Sequence, residues 1–202
     1  MAGNEDFFRE KHRFLYHYFY DLNRDGVLTK EDFEAMAREY AVVQRRGKFE
    51  EDVVDRWKAV TAKWWLELYQ NADRNKDEKV DFEEWLNYFK SMRTSLKNAE
   101  DLPDFLKGFL QLHFVFLDHN KDGLICTKDY KHYLQTRQMD PNRAEEAFQS
   151  LISERDAETG NKLSRERFNE LFLDFLSSLD PRSPGKFICG PLDYQTKGDS
   201  PS

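Results

Sequence analysis

A compact all-α fold, four helix–loop–helix units in two packed pairs followed by an irregular tail, is predicted by three observations on this 202-residue chain. Apolar residues recur at helical spacing as far as Leu179. Acidic twelve-residue segments interrupt that rhythm four times. No proline precedes Pro103 and four of the six follow residue 180, so the body is free of the residue that most disrupts helices and the tail is not.

In order along the chain, the apolar faces are Phe8, Leu15, Tyr18 and Leu22; Phe33, Met36, Ala37 and Tyr40; and Trp85, Tyr88, Phe89 and Met92. The second half repeats them with Phe105, Phe109, Leu112 and Phe116; Tyr130, Tyr133 and Leu134; Phe148, Leu151 and Ile152; and Phe168, Leu171, Phe172 and Phe175. Eight helices are expected, seven of them marked by these faces. Pro103 reads as a first-turn residue of the fifth, Asp140-Pro141 as the start of the seventh, and Ser164 as the cap of the eighth. Gly26, Gly123 and Gly160 fall between helices. The polar run Ser95 to Asp101 divides residues 1–97 from 98–179, and residues 180–202 form the tail.

Composition narrows the function. With 17 Phe, 9 Tyr and 4 Trp the chain is too aromatic to be disordered. Its net charge of -7 disfavours nucleic acid or anionic lipid as the main partner, since both require a basic surface. The cluster Arg45, Arg46, Gly47, Lys48 is too short to reverse that and reads as a solvated corner. Gly185 and Lys186 lack the flanks of a phosphate loop. Two cysteines, Cys126 and Cys189, form no disulfide framework or zinc pattern and are expected as free thiols. The charged N-terminal stretch has no signal-peptide core, and the longest uncharged run of the body, Gly108 to Leu117, is about half a membrane span. A cytoplasmic, monomeric, non-enzymatic protein is expected.

The four acidic segments are DLNRDGVLTKED at 21–32, DRNKDEKVDFEE at 73–84, DHNKDGLICTKD at 118–129 and DAETGNKLSRER at 156–167. They resemble EF-hand calcium loops, in which positions 1, 3, 5, 7, 9 and 12 wrap oxygens around a hard cation, position 7 through its carbonyl. Loop one offers Asp21, Asn23, Asp25, the Val27 carbonyl, Thr29 and Asp32. Loop two offers Asp73, Asn75, Asp77, the Lys79 carbonyl, Asp81 and Glu84, with Glu78 where a glycine normally supplies positive φ. Loop three offers Asp118, Asn120, Asp122, the Leu124 carbonyl and Asp129; Cys126, at position 9, is a poor ligand for a hard ion and is expected to yield to water. Loop four has Gly160 at position 5 and Arg167 at position 12, and is expected to bind no metal. Its Leu163 matches Leu28, Val80 and Ile125 at position 8, where paired loops join by a short antiparallel bridge. Three Ca2+ are expected, with Mg2+ tolerated at loops one and three, whose closing Asp is shorter than Glu.

The whole chain resembles the sarcoplasmic calcium-binding proteins, and within them the calexcitin group. The features that carry this are the closing Asp32, the segment DRNKDEKVDFEEW, the defunct fourth loop, the tail FLSSLDPRSPGKFICGPL, and loop starts 52, 45 and 38 residues apart. The resemblance implies an eight-helix calcium binder whose tail packs on the body. Few methionines and many aromatics favour a buffer over a protein that opens a methionine-rich groove. The calexcitin likeness supports an alternative, a sensor acting on a protein or membrane target. A relation in fold to coelenterazine photoproteins gives a remote third reading. It would need residues such as His17, His113 and His132 to face inward. Trp57, Trp64, Trp65 and Trp85 are expected in the core. The tail, through Phe187, Ile188 and Leu192, is expected in a groove between the halves.

Overall fold

A computed structural model describes residues 2–45 and 47–192, so Arg46 of the basic corner and the end of the tail lie outside the described residues. Among those residues there are eight α-helices: α1 (Ala2–Leu15), α2 (Lys30–Gln44), α3 (Glu51–Ala72), α4 (Phe82–Met92), α5 (Asp104–Leu117), α6 (Thr127–Thr136), α7 (Ala144–Leu151) and α8 (Arg165–Ser177). Two short strands, β1 (Val27–Leu28) and β2 (Val80–Asp81), pair antiparallel.

Each loop starts its own exiting helix. Position 9 is the N-cap and position 12 the third helical residue, so the closing carboxylate can accept from the N-cap amide as a capping box. Thr29 N donates to Asp32 Oδ2 at 2.9 Å, Asp81 N to Glu84 Oε2 at 3.1 Å, and Cys126 N to Asp129 Oδ2 at 3.0 Å. Ser164 Oγ accepts from Arg167 N at the start of α8. For α7, Asp140 Oδ1 accepts from Asn142 N in a 3-10 turn, Pro141–Arg143, that leads into the helix. Pro103 stands just before α5 rather than within it; the Glu67 carboxylate of α3 caps that helix, accepting from Asp104 N and Phe105 N at 3.0 Å each.

The first helix departs from its expected extent. After Leu15 the chain widens into a π turn, Tyr16–Tyr20, closed by Asp21 N donating to Tyr16 O, so Leu22 lies in the loop and not on a helix face. The wider turn places Tyr16 and Tyr20 on Trp85, with ring centroids at 5.6 and 5.0 Å. Such insertions recur at functional sites.

The chain divides into two compact units. One, residues 12–93 and 103–106, has fully buried Trp85 at its centre, with Tyr16, Tyr20, Phe89 and Phe105 around it. Trp64 is buried there too, whereas Trp57 and Trp65 are half-buried on the flank of α3. The other unit takes the first turns of α1 with most of α5, all of α6 to α8, and the tail. Its core is Phe109, Phe114, Tyr130, Tyr133, Phe148, Phe168, Phe172 and Phe175. Lys11 is fully buried in it, its ammonium donating to Ser178 O at 2.7 Å amid the rings of Phe7, Phe8 and Phe175, which supply cation–π attraction.

In the tail, Tyr130 OH donates to Phe187 O, Tyr133 OH to Cys189 O at 2.8 Å, and His113 Nε2 lies 3.4 Å from Ile188 O. Gly185 N donates to Asp174 Oδ2 at 2.7 Å. These partners belong to α5, α6 and α8, so the strap is hydrogen-bonded to the C-terminal helices. Ile188 and Cys189 are buried, while Phe187 and Leu192 are only half-buried. The strap could not have been assigned to one pair from its own sequence, because apolar side chains specify burial but not the partner.

Candidate metal centres

Loop one is built from the end of the π turn to the first turn of α2. Its ends are buried and its middle is exposed: Asp21 and Asp32 are 2% and 1% accessible, while Asn23 and Asp25 face water. Asp32 Oδ1 accepts from Leu22 N at 3.1 Å and Asn23 N at 3.4 Å, tying the loop's entry to its exit. Asn23 Oδ1 accepts from Asp25 N at 2.9 Å, and Asp25 Oδ1 from Val27 N at 3.0 Å. Asp21 Oδ2 accepts from Gly26 N at 3.2 Å and meets His17 Nδ1 at 3.1 Å. The other oxygen, Asp21 Oδ1, is buried with no hydrogen-bond partner. An anionic oxygen without water or a donor is costly unless a cation answers it.

Loops two and three repeat the plan. Glu84 Oε1 accepts from Arg74 N at 3.0 Å and Asn75 N at 3.3 Å; Asp73 Oδ2 accepts from Glu78 N at 3.0 Å; Asp77 Oδ1 accepts from Lys79 N at 3.0 Å. Asp81 doubles as ninth-position candidate and helix cap, its Oδ1 accepting from Glu84 N at 2.8 Å. In loop three, Asp118 Oδ2 accepts from Gly123 N at 3.0 Å, Asn120 Oδ1 from Asp122 N at 2.8 Å, and Asp122 Oδ1 from Leu124 N at 2.9 Å. Asp129 is buried at the base, and the Cys126 thiol is half-buried and free. Position 6 takes φ of +89° at Gly26, +81° at Gly123 and +64° at Glu78, so Glu78 adopts the left-handed turn despite its Cβ.

The bridges fall where position 8 places them. Leu28 pairs with Val80, and Ile125 exchanges both backbone hydrogen bonds with Leu163 at 2.9 Å. Tyr16 OH reaches Val80 O at 2.8 Å and Gly26 O at 3.0 Å, locking the π turn onto both loops. Burial, then the charges of Asp21, Asp81 and Asp32, push its phenol far up. Burial likewise raises the Asp32 carboxyl, against lowering by the Thr29 and Asn23 amides.

Loop four carries its own cations. Arg167 Nε lies 3.5 Å from Asp156 Oδ2, and its Nη1 bonds Glu170 at 2.9 Å. Asp156 meanwhile accepts from Ser153 N and Oγ in a 3-10 turn, Glu154–Thr159, which replaces the open loop entry. Arg155 adds a bidentate pair to Glu170.

Among the described residues no three His, Cys, Asp or Glu side chains gather into a preformed cage. Donors in each of the first three loops include an asparagine amide and a main-chain carbonyl, and the carboxylates are steadied by backbone amides. Such a set is all oxygen, with the charge density a hard divalent cation needs. Of the histidines, His113 is buried between Phe109, Tyr133 and Phe168, but His17 is half-buried on Asp21, and His132 is exposed with its ring tilted against His119 instead of facing inward. The buried His12, against Phe89, was not singled out by its sequence context. Two contacts of the loops were also missed: His17 with Asp21, which i,i+4 spacing could have flagged, and Lys162 Nζ with Asp122 Oδ2 at 3.1 Å.

Comparison with known proteins agrees with this geometry. A family model described as EF hand matches residues 18–37, which span loop one. The chain is 28% identical over 182 residues to the sarcoplasmic calcium-binding protein beta chain of Penaeus sp., covering 89% of this chain and 94% of that one. It is 22% identical over 130 residues to calexcitin-1 of Caenorhabditis elegans, covering 64% and 61%. The solved structure of a sarcoplasmic calcium-binding protein from amphioxus superposes with a TM-score of 0.77 at 24% identity, over 92% of this chain and 97% of that one.

Proposed function

We propose that this chain, an EF-hand fold homologous to the sarcoplasmic calcium-binding proteins, is a calcium buffer that holds three ions. The observation that carries the reading is Asp21 Oδ1, a buried carboxylate oxygen without a partner at the first position of loop one. Asp21, Asn23, Asp25, the Val27 carbonyl, Thr29 and Asp32 hold the first ion. Asp73, Asn75, Asp77, the Lys79 carbonyl, Asp81 and Glu84 hold the second, and Asp118, Asn120, Asp122, the Leu124 carbonyl and Asp129 the third. Loop four takes none, because Arg167 already answers Asp156. Loops one and three accept Mg2+ more readily than loop two, since a closing Asp favours the six-coordinate geometry that Mg2+ demands.

Buffering is favoured over sensing by what is buried. The cores are ring-rich and Met36 and Met139 are already packed inside, so the flexible, methionine-lined groove of an opening sensor is not prepared. The protein acts as a monomer in a reducing compartment, in keeping with its two free thiols. Among the described residues no helix is long and apolar enough to cross a membrane.

Calorimetric titration tests the reading. Three ions at saturation are expected, with Asp21→Asn and Glu84→Ala each removing one. Four ions in the parent protein would overturn the assignment of loop four, and none would overturn the proposal. An apolar-surface dye bound only in calcium would replace the buffer by the sensor.

A further inference from the structure

The Ile125–Leu163 bridge does more than join two loops, because it fixes the residue before Leu163 against the calcium face of loop three. That residue is Lys162. Its carbonyl accepts from the Thr159 hydroxyl, and its ammonium lies 3.1 Å from Asp122 Oδ2, at the fifth position of loop three. Both side chains are about a third exposed, so the pair is neither deeply buried nor free in solvent. Asp122 Oδ1 is engaged by Leu124 N and Oδ2 also by Asn120 Nδ2, which leaves the ammonium as the charge partner of this carboxylate.

The arrangement is particular to this pair. Lys79 holds the same seventh position in loop two, next to the β1–β2 bridge, yet among the described residues neither Asp25 nor Asp77 is ion-paired. The corresponding Asn23 and Asn75 amides meet those carboxylates as Asn120 meets Asp122. Only loop three therefore has its fifth ligand held by a cation supplied from across the bridge.

We propose that Lys162 sets the affinity of loop three, as a tethered monovalent competitor that a divalent ion must displace from Asp122. This rests on reading loop three as a calcium loop. A bound divalent cation and the ammonium cannot share Asp122 without repulsion, so the ion must both move the lysine and bind. The electrostatics agree with the geometry: the Leu124 amide and then Lys162 hold the Asp122 carboxyl below the usual range, Asp122 raises the Lys162 ammonium, and Cys126 and Asp129 act on that ammonium in the same direction. A degenerate loop thus keeps a part in calcium binding without taking an ion.

The test uses the full chain and follows backbone amides at Gly26, Glu78 and Gly123 by NMR during calcium titration, one reporter for each loop. With Lys162→Gln the Gly123 midpoint should move to lower calcium by about 1.4- to fivefold, the range set by partly exposed ion pairs. Gly26 and Glu78 should not shift, and Lys162→Arg, which keeps the charge, should behave as the parent. In the parent the Lys162 ammonium signal should change in step with Gly123. Equal Gly123 midpoints in parent and Lys162→Gln would overturn the role of Lys162 while leaving loop three a calcium site. No Gly123 response in either protein, with Gly26 and Glu78 responding, would overturn the calcium reading of loop three and this inference with it.

Discussion

Replacing Gly185 by alanine should peel the tail from α8. A Cβ at this position would fall inside the contact radius of the Leu171 carbonyl oxygen, 2.8 Å from Asp174 Oδ2 and 2.9 Å from Phe175 N. Two of those three obstacles are helix backbone, which cannot swing aside, so the strap must lift. Lifting it breaks the 2.7 Å bond from Gly185 N to Asp174, a charged acceptor, at a cost of about 1.5 to 3 kcal/mol. Overpacking of this kind typically costs about 1 to 3 kcal/mol in total where the neighbours can adjust, and more where they cannot. A net loss of about 2 to 4 kcal/mol follows, and in a chain of this size each kcal/mol moves Tm by about 2 to 4 °C. Thermal unfolding followed by circular dichroism should therefore show Tm falling by about 4 to 16 °C, with Pro184→Ala, at an exposed neighbour, as the control. A Gly185→Ala melt within 2 °C of the parent would refute the close approach and the anchored strap.

Three further outcomes are expected. His113 is buried and its imidazole lowered to about 3, first by burial and then by the Arg137 charge, so the folded form takes up its proton only far below the ordinary value of 6.5. Its contribution to stability is complete above pH 6.5 and is lost as pH falls toward 3; urea unfolding at pH 7 and 5 should cost the parent about 2 kcal/mol more than His113→Phe, and equal losses would refute this. Removing calcium with a strong chelator should lower Tm, since three bound ions would change the formal charge from -7 to -1 and relieve repulsion within the loops, and an unchanged melt would contradict it. Glu78→Gly should stabilise the calcium-free protein by about 0.5 to 1 kcal/mol, the relief of a left-handed non-glycine residue less the entropy glycine adds to the unfolded chain; destabilisation in chelator melts would show that the turn is unstrained.

Features set by spacing along the chain were the legible ones. The positions of Leu28, Val80, Ile125 and Leu163 foretold both bridges, because a twelve-residue loop has one place where its backbone is extended and inward. Asp32, Glu84 and Asp129 were legible as candidate ligands from loop position alone, whereas their part in starting the exiting helices came from the structure. What escaped was non-local. The π turn at Tyr16 is held by Trp85 and by the loop carbonyls of Gly26 and Val80, and of these Trp85 and Val80 are far from it in sequence. In sequence Gly185 is weighed as part of a phosphate loop, yet its lack of a side chain matters for the passage of α8. Nothing in the sequence singles out Lys162, and the bridge brings it to Asp122. Helical periodicity on α3 could not separate Trp64, which is buried, from Trp65, which is half-exposed one residue on.

The hydroxyl of Tyr16 has one hydrogen and two carbonyl oxygens within reach, one from each of the first two loops. The supply is short by one across the pair, because a phenol that serves Gly26 fully leaves Val80 underserved, and the reverse. Neither loop can rotate the peptide it presents to this ring without changing what the ring can offer the other. Loops one and two therefore do not hold private ledgers of hydrogen bonds: a tilt in one is announced to its neighbour through a single shared proton, over a distance no longer than a tyrosine side chain.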